Sequence, residues 1–226
     1  VGRLDRLQTA VASEPARLRL RAEFGLFYIG APLLIAMLLP PDMMFPALFA
    51  FTGLGLVLLH LTPGFAWAEL RWNWRNWSWA EVAGFTVAMT GLCVWVIYAT
   101  RPDAAFALAR RRPEMLAAVW FFYPFLSALP QELLFRPLFY RRYHAILPQG
   151  RGSHLLNAAL FSLAHLMYWS WIVAAMTFAG GLLFSWAYRR RGSFFFAVLL
   201  HAIAGNILFA VGLGIYFYSG NVQRPF

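Results

Sequence analysis

Long apolar runs dominate the chain, and most of its charged positions fall in the connections between them. Seven runs stand out: Phe24–Leu39, Phe45–Leu61, Val82–Tyr98, Met115–Tyr140, Leu155–Trp169, Trp171–Tyr188 and Phe194–Tyr218. A transmembrane helix needs about 20 mostly apolar residues. The first, fifth and sixth runs are short by that measure and leave room for an interfacial or half-buried segment. Ala104–Leu108 reads as a further interfacial turn. Residues 1–23 mix Leu4, Leu7, Leu18 and Leu20 with charges, the pattern of an amphipathic helix lying at a membrane surface. The expected fold is therefore all-α: a polytopic transmembrane helix bundle of about seven spans behind an N-terminal amphipathic helix. No repeat or second domain is evident, so residues 24–226 form one transmembrane domain, with candidate chemistry concentrated in the spans of residues 115–218.

Composition strengthens the membrane reading. The chain is 61% hydrophobic, with a mean hydropathy of +0.60, whereas soluble domains run roughly 45–50% apolar. A net charge of +10 would suggest nucleic acid in a soluble protein. Here the arginines lie mainly between spans, where they set topology, so the expected partners are membrane lipid and not nucleic acid. No lysine is present. With the N-terminus inside, Arg3, Arg6, Arg17, Arg19, Arg21, Arg71, Arg75, Arg136, Arg141, Arg142, Arg151 and Arg189 to Arg191 are cytoplasmic, while Arg101, Arg110 to Arg112 and Arg224 are outside. That asymmetry favours an N-in integral protein. An extra span or re-entrant segment near Ala104–Leu108 would explain the outside cluster. Arginine-only, alanine-rich usage points to a bacterial inner membrane. Val1–Glu23 has no apolar core and is not expected to be a cleavable signal. Trp67, Trp72, Trp74, Trp77 and Trp79 read as an interfacial aromatic belt, and the lone Cys93 as a packing residue.

Against this background one acid is out of place. Glu132 lies well inside an apolar span, where an ionisable side chain costs about 2.5–3.5 kcal/mol on insertion scales and so marks a functional site. Arg136 follows at i+4, on the same helical face, and an internal ion pair is the plain structural alternative. Gln131 is rotated roughly 100° from Glu132. Pro124, Pro130 and Pro137 punctuate this span, and proline removes a backbone bond and bends a helix; a kinked or unwound stretch beside Gln131 and Glu132 would admit water. His165 and His201 lie in two later spans, with Asn206 near the second. His60, His144 and His154 sit at span ends or in a loop and read as interfacial or solvated. Two chemistries fit. A carboxylate and a histidine can activate water while a second histidine and an amide hold the oxyanion. Alternatively Glu132, His165 and His201 form a two-histidine, one-carboxylate zinc site.

The motifs resemble the CAAX prenyl protease and bacteriocin-processing (CPBP) intramembrane proteases. That family's E-E-x-x-x-R motif is similar to Gln131-Glu132-Leu133-Leu134-Phe135-Arg136, its F-x-x-x-H to Phe161 through His165, and its H-x-x-x-N to His201 with Asn206. The resemblance covers about Ala128 to Asn206. It implies a glutamic peptidase without metal or other cofactor, in which position 131 activates water with His165, Glu132 and Arg136 brace the site, and His201 with the asparagine forms the oxyanion pocket. It also implies substrates that are membrane-associated proteins or peptides, cut near their C-termini. Two departures stand out. Gln131 cannot accept a proton as a carboxylate does, so the chain reads either as an inactive Glu-to-Gln form, as a peptidase whose base is Glu132, or as a non-catalytic peptide-binding relative or scaffold. A membrane transporter using Glu132 and the histidines as a proton relay is a further alternative. Asn206 lies five residues after His201, with Gly205 at the family's position; a π-bulge at Gly205 would restore the alignment.

Overall fold

The computed structural model describes residues 14–71, 76–222 and 224–225, and every regular element among them is helical. Five helices are long and apolar enough to cross a membrane: Glu14–Leu38, Pro41–His60, Trp79–Thr100, Trp171–Arg189 and Phe194–Val211. The chain is thus an all-α polytopic membrane bundle. The first of the five comprises α1 (Glu14–Gly25), a π turn (Leu26–Gly30) and α2 (Ala31–Leu38). It passes residue 23 without a break, so the interfacial helix and the first span, read separately from sequence, are continuous here. Arg3, Arg6, Leu4 and Leu7 lie outside the described residues.

The remaining long helices are α3 (Met44–His60), α4 (Trp79–Thr100), α9 (Trp171–Arg189) and α10 (Phe194–Val211). Serine caps start three of them. Ser78 Oγ accepts from the Glu81 amide at 3.3 Å while Glu81 Oε2 accepts from the Ser78 amide at 2.8 Å, a reciprocal capping box. Ser170 and Ser193 accept from Val173 and Phe196 in the same way. At the far end of α10, Gly212 takes a φ of +111°, and a side chain there would meet the Ala104 carbonyl.

Two of the seven expected spans take another form. Residues 113–142 make one uninterrupted helical run of α6 (Pro113–Tyr123), a π segment (Pro124–Ala128), α7 (Leu129–Leu133) and a second π segment (Leu134–Arg142). Around Pro124 and Pro137 the helix is widened rather than unwound, and the run's Pro, Gln, Glu and Arg residues dilute the apolar character that marks the other five. The fifth run becomes α8 (Arg151–Ala164), only 14 residues long. At 1.5 Å per residue that is about 21 Å, less than a hydrocarbon core of about 30 Å. Neither is Ala104–Leu108 part of an extra span. It bridges a 3-10 turn (Pro102–Ala104), Phe106 at a φ of 53° and the five-residue α5 (Ala107–Arg111). This turn docks on α10 through the Phe106 amide, which donates to the Val211 carbonyl at 2.8 Å.

Charge collects at the two ends of the bundle. At one end Arg142 Nη2 reaches Glu23 Oε2 at 2.8 Å, Tyr143 donates to the same carboxylate at 2.8 Å, and Arg141 and Arg191 pair with Glu69 and Glu81. At the other, Arg101 pairs with Asp103 and Arg112 with Glu114, each at 2.8 Å. Asp103 is held below the usual carboxylate range by its bond to Arg101. Between the ends lies a core rich in aromatic rings. Trp77, read from sequence as part of an interfacial belt, is instead buried and stacked on Phe196 with ring centroids 5.1 Å apart. Trp67 and Trp79 are exposed as a belt requires, and Trp72 and Trp74 lie outside the described residues. α8 and α9 approach closely at Gly181, where an added Cβ would sit 2.8 Å from Ala158 Cα.

Candidate active site

The π segments that bracket α7 decide where its side chains point. A π segment leaves the regular i to i−4 bonding pattern, and such segments concentrate at functional sites. Pro137 brings no N–H to the second one. Side chains from other helices supply donors there: Tyr28 donates to the Leu134 carbonyl at 2.6 Å and Asn157 Nδ2 to the Phe135 carbonyl at 2.7 Å. Held in this way, α7 turns Gln131 toward an open cavity and Glu132 into the protein interior.

Glu132 is wholly buried, and so is Arg136. Arg136 Nε donates to Glu132 Oε2 at 2.7 Å and Nη2 to Oε1 at 3.2 Å. The other side of the guanidinium donates to Asn157 Oδ1 and, at 3.4 Å, to the Phe135 carbonyl. Phe161 and Phe184 flank it, with ring centroids 5.5 and 5.9 Å from its central carbon. His201 Nδ1 meets Glu132 Oε1 at 2.9 Å. A carboxylate offers no hydrogen, so Nδ1 carries the one between them. The Tyr123 hydroxyl lies 3.2 Å from Nε2, within hydrogen-bond reach. Phe184 stacks on the imidazole at 4.8 Å and fixes its plane. One carboxylate thus orients both a buried arginine and a histidine.

Gln131, His165 and His201 converge on one cavity of about 970 Å³, together with Tyr123 and Ser127. Most of the wall is apolar, contributed by residues such as Phe51, Phe85 and Leu183. Its lining extends to Leu108, Arg112 and Ser219. That is the end of the bundle where Trp169 donates to the Ala36 carbonyl and Arg224 to the Met37 carbonyl. His165 Nδ1 lies 2.7 Å from the Phe161 carbonyl one turn earlier. That bond requires the hydrogen on Nδ1 and leaves Nε2 with its lone pair. Gln131 Nε2 donates to Ser127 Oγ at 2.9 Å. Its Oε1 is buried and has no hydrogen-bond partner among the described residues.

Asn206 is the sequence candidate that lies elsewhere. Helix α10 is regular through Gly205, so the expected π-bulge is missing and five residues rotate Asn206 about 140° from His201. Its side-chain amide donates to the Trp120 backbone carbonyl at 3.3 Å, and its backbone carbonyl accepts from Trp120 Nε1 at 3.0 Å. The zinc alternative is not assembled either. Both Glu132 oxygens are taken by Arg136 and His201, and among the described residues no three His, Cys, Asp or Glu side chains gather as a ligand set. Of the peripheral histidines, His60 and His144 are exposed as read, whereas His154 is half-buried and bonded to Ser185 at 2.6 Å. Sequence reading missed Tyr123, Ser127, Asn157 and Phe184. A signal existed for three of them. Tyr123, Ser127 and Gln131 recur every four residues, as do Asn157, Phe161 and His165, so each set shares a helical stripe.

Fold and site together define a membrane helix bundle in which a buried acid, arginine and histidine back onto an apolar cavity. The sequence model of one family, described as "Rce1-like: Type II CAAX prenyl endopeptidase Rce1-like", matches residues 113–208. That stretch runs from α6 into α10 and contains every residue of the network just described except Tyr28. Over it, the chain is similar to membrane proteases of the CAAX and CPBP type, as the motifs around Glu132, His165 and His201 imply. No curated protein and no solved structure matches the chain.

Proposed function

We propose that the chain is an intramembrane peptidase of the glutamic type, hydrolysing a peptide bond near the C-terminus of a membrane-associated protein or peptide. The observation that carries this reading is the convergence of Gln131, His165 and His201 on one cavity, with Glu132 and Arg136 locked behind them. A water held between position 131 and His165 attacks the carbonyl carbon. The base takes one proton from that water, charge develops on the carbonyl oxygen, and the proton then passes to the leaving amine as the C–N bond breaks. No acyl-enzyme forms. Glu132 is too tightly held to serve as the base; its part is to brace His201 and Arg136.

Gln131 sets the rate. An amide oxygen can accept a hydrogen bond from water but takes no proton, so His165 alone remains to accept one and the chain behaves as a weak or inactive Glu-to-Gln form. The Gln131 amide held on Ser127 also suits a second reading, a non-catalytic relative that binds peptides in the same cavity. The arginine distribution supports an inner-membrane protein with its N-terminus inside. The two readings separate in one experiment. Purified protein in detergent, as it stands and as Gln131→Glu, is assayed against a pooled library of C-terminal peptides with and without a chelator. Chelator-insensitive cleavage that appears or rises with Gln131→Glu supports the peptidase. Peptide binding without cleavage by either form supports the relative.

A further inference from the structure

A regular α10 leaves the oxyanion pocket without its expected amide, and the space in question is not empty. Gly205 lies one turn after His201, on the same face. A Cβ built there would run into the ring of Tyr123, whose Cε1, Cζ and hydroxyl oxygen are its three nearest neighbours. The Tyr123 hydroxyl therefore stands where a side chain from position 205 would project. That hydroxyl already bonds His201 Nε2 at 3.2 Å, and it shares the cavity wall with Gln131 and His165. The ring is fixed by edge contacts with His201 and Phe209 at 6.0 and 5.8 Å.

We infer that Tyr123 is the oxyanion donor of this site, supplying from α6 the hydrogen bond that position 205 on α10 does not. The inference rests on the peptidase reading. At rest the hydroxyl is paired with His201 Nε2. When a scissile carbonyl enters, the O–H donates to its oxygen, and a hydrogen bond to a developing anion is roughly twice as strong as a neutral one. No proton leaves the tyrosine, and no bond to it is made or broken. The absent side chain at Gly205 is what allows the ring this close to His201.

The test pairs kinetics with binding. In the Gln131→Glu background, Tyr123→Phe should lower kcat on the order of 10²–10³-fold, the usual effect of removing one oxyanion donor, with KM little changed. Tyr123→Ala should lose as much. Adding Gly205→Asn to Tyr123→Ala, where the ring no longer blocks it, should recover at least about tenfold of that loss; a tyrosine that only packs against α10 would give no such recovery. Full kcat in Tyr123→Phe, or a loss confined to KM, overturns the assignment.

Binding keeps the idea testable without turnover. A peptidyl phosphinate, whose tetrahedral anion mimics the oxyanion, and its parent amide are titrated by tryptophan fluorescence into the protein as it stands and into Tyr123→Phe. The phosphinate should weaken at least about tenfold on Tyr123→Phe while the amide does not. Equal loss for both, or no phosphinate binding at all, overturns the role of Tyr123. Selective phosphinate loss in a protein that never cleaves, even as Gln131→Glu, overturns the peptidase reading and leaves Tyr123 as the anion donor.

Discussion

Glu132 and Arg136 sit one helical turn apart, both wholly buried, with Arg136 Nε donating to Glu132 Oε2 at 2.7 Å. Neither charge touches the cavity, so the pair is internal scaffolding whose geometry His201 inherits. Breaking a buried pair by removing one partner strands the other charge and costs roughly 3–5 kcal/mol, while removing both costs far less. Arg136→Met should therefore unfold well below the parent in a detergent thermal melt. The double variant Glu132→Gln/Arg136→Met should recover much of that loss, because the glutamine still accepts from His201. A single variant as stable as the parent would sink the argument.

Asn157 performs two tasks at once: its Nδ2 donates to the Phe135 carbonyl at 2.7 Å while its Oδ1 accepts from Arg136. Replacing it by alanine leaves a carbonyl of the π segment and one face of the guanidinium short of partners. The cost of unsatisfied buried groups is about 1–3 kcal/mol each. Asn157→Ala should lower the melting temperature, and in the Gln131→Glu background it should lower kcat as well, because His201 is aimed by way of Glu132 and Arg136. Unchanged kcat beside a clear loss of stability would confine Asn157 to a structural part.

These contacts also explain which parts of the molecule the sequence could announce. Uninterrupted apolar runs forced helices, and a lone acid with two histidines deep in such runs pointed to a shared site. The second π segment could not be read, because the carbonyls of Leu134 and Phe135 within residues 134–142 are met by donors, Tyr28 and Asn157, arriving from distant helices. Proline positions suggested a kink, whereas tertiary hydrogen bonds turned it into a wider helix. Tyr123 and Asn157 were overlooked for a related reason. Tyrosines and asparagines near helix interiors are common, and only the neighbours they meet give them a role. Asn206 attracted attention through its distance from His201, but α10 keeps a regular turn and carries it to Trp120 instead.

Gly181 predicts a packing defect on the face of α9 that meets α8. A Cβ there would stand 2.8 Å from Ala158 Cα, which is backbone and cannot move aside cheaply. Small residues let membrane helices approach in this way. Overpacking a close contact costs typically 1–3 kcal/mol. Gly181→Val should lower thermal stability, and it should shift α8 enough to disturb Asn157 and His165. Gly84→Val, where nothing lies within 4 Å of the added Cβ, serves as the comparison and should melt like the parent. Equal melting for both variants would show that α8 yields to the larger side chain.

His165 separates chemistry from stability most cleanly. Its Nδ1 is spent on the Phe161 carbonyl within its own helix, at 2.7 Å, and its ring lies near those of Phe161 and Tyr168 at 4.7 and 6.2 Å. Phenylalanine at this position keeps an aromatic ring among those neighbours and forfeits one hydrogen bond, worth about 1 kcal/mol net. The melting temperature should therefore barely move. A general base that helps activate water contributes typically 10²–10⁴-fold, so in the Gln131→Glu background His165→Phe should lower kcat by about that factor. The phosphinate that tests Tyr123 should still bind, since its tetrahedral anion takes its hydrogen bond from Tyr123 and not from His165. A variant that folds, binds the phosphinate and keeps full kcat would remove His165 from the reaction and leave the carboxylate at position 131 as the sole base.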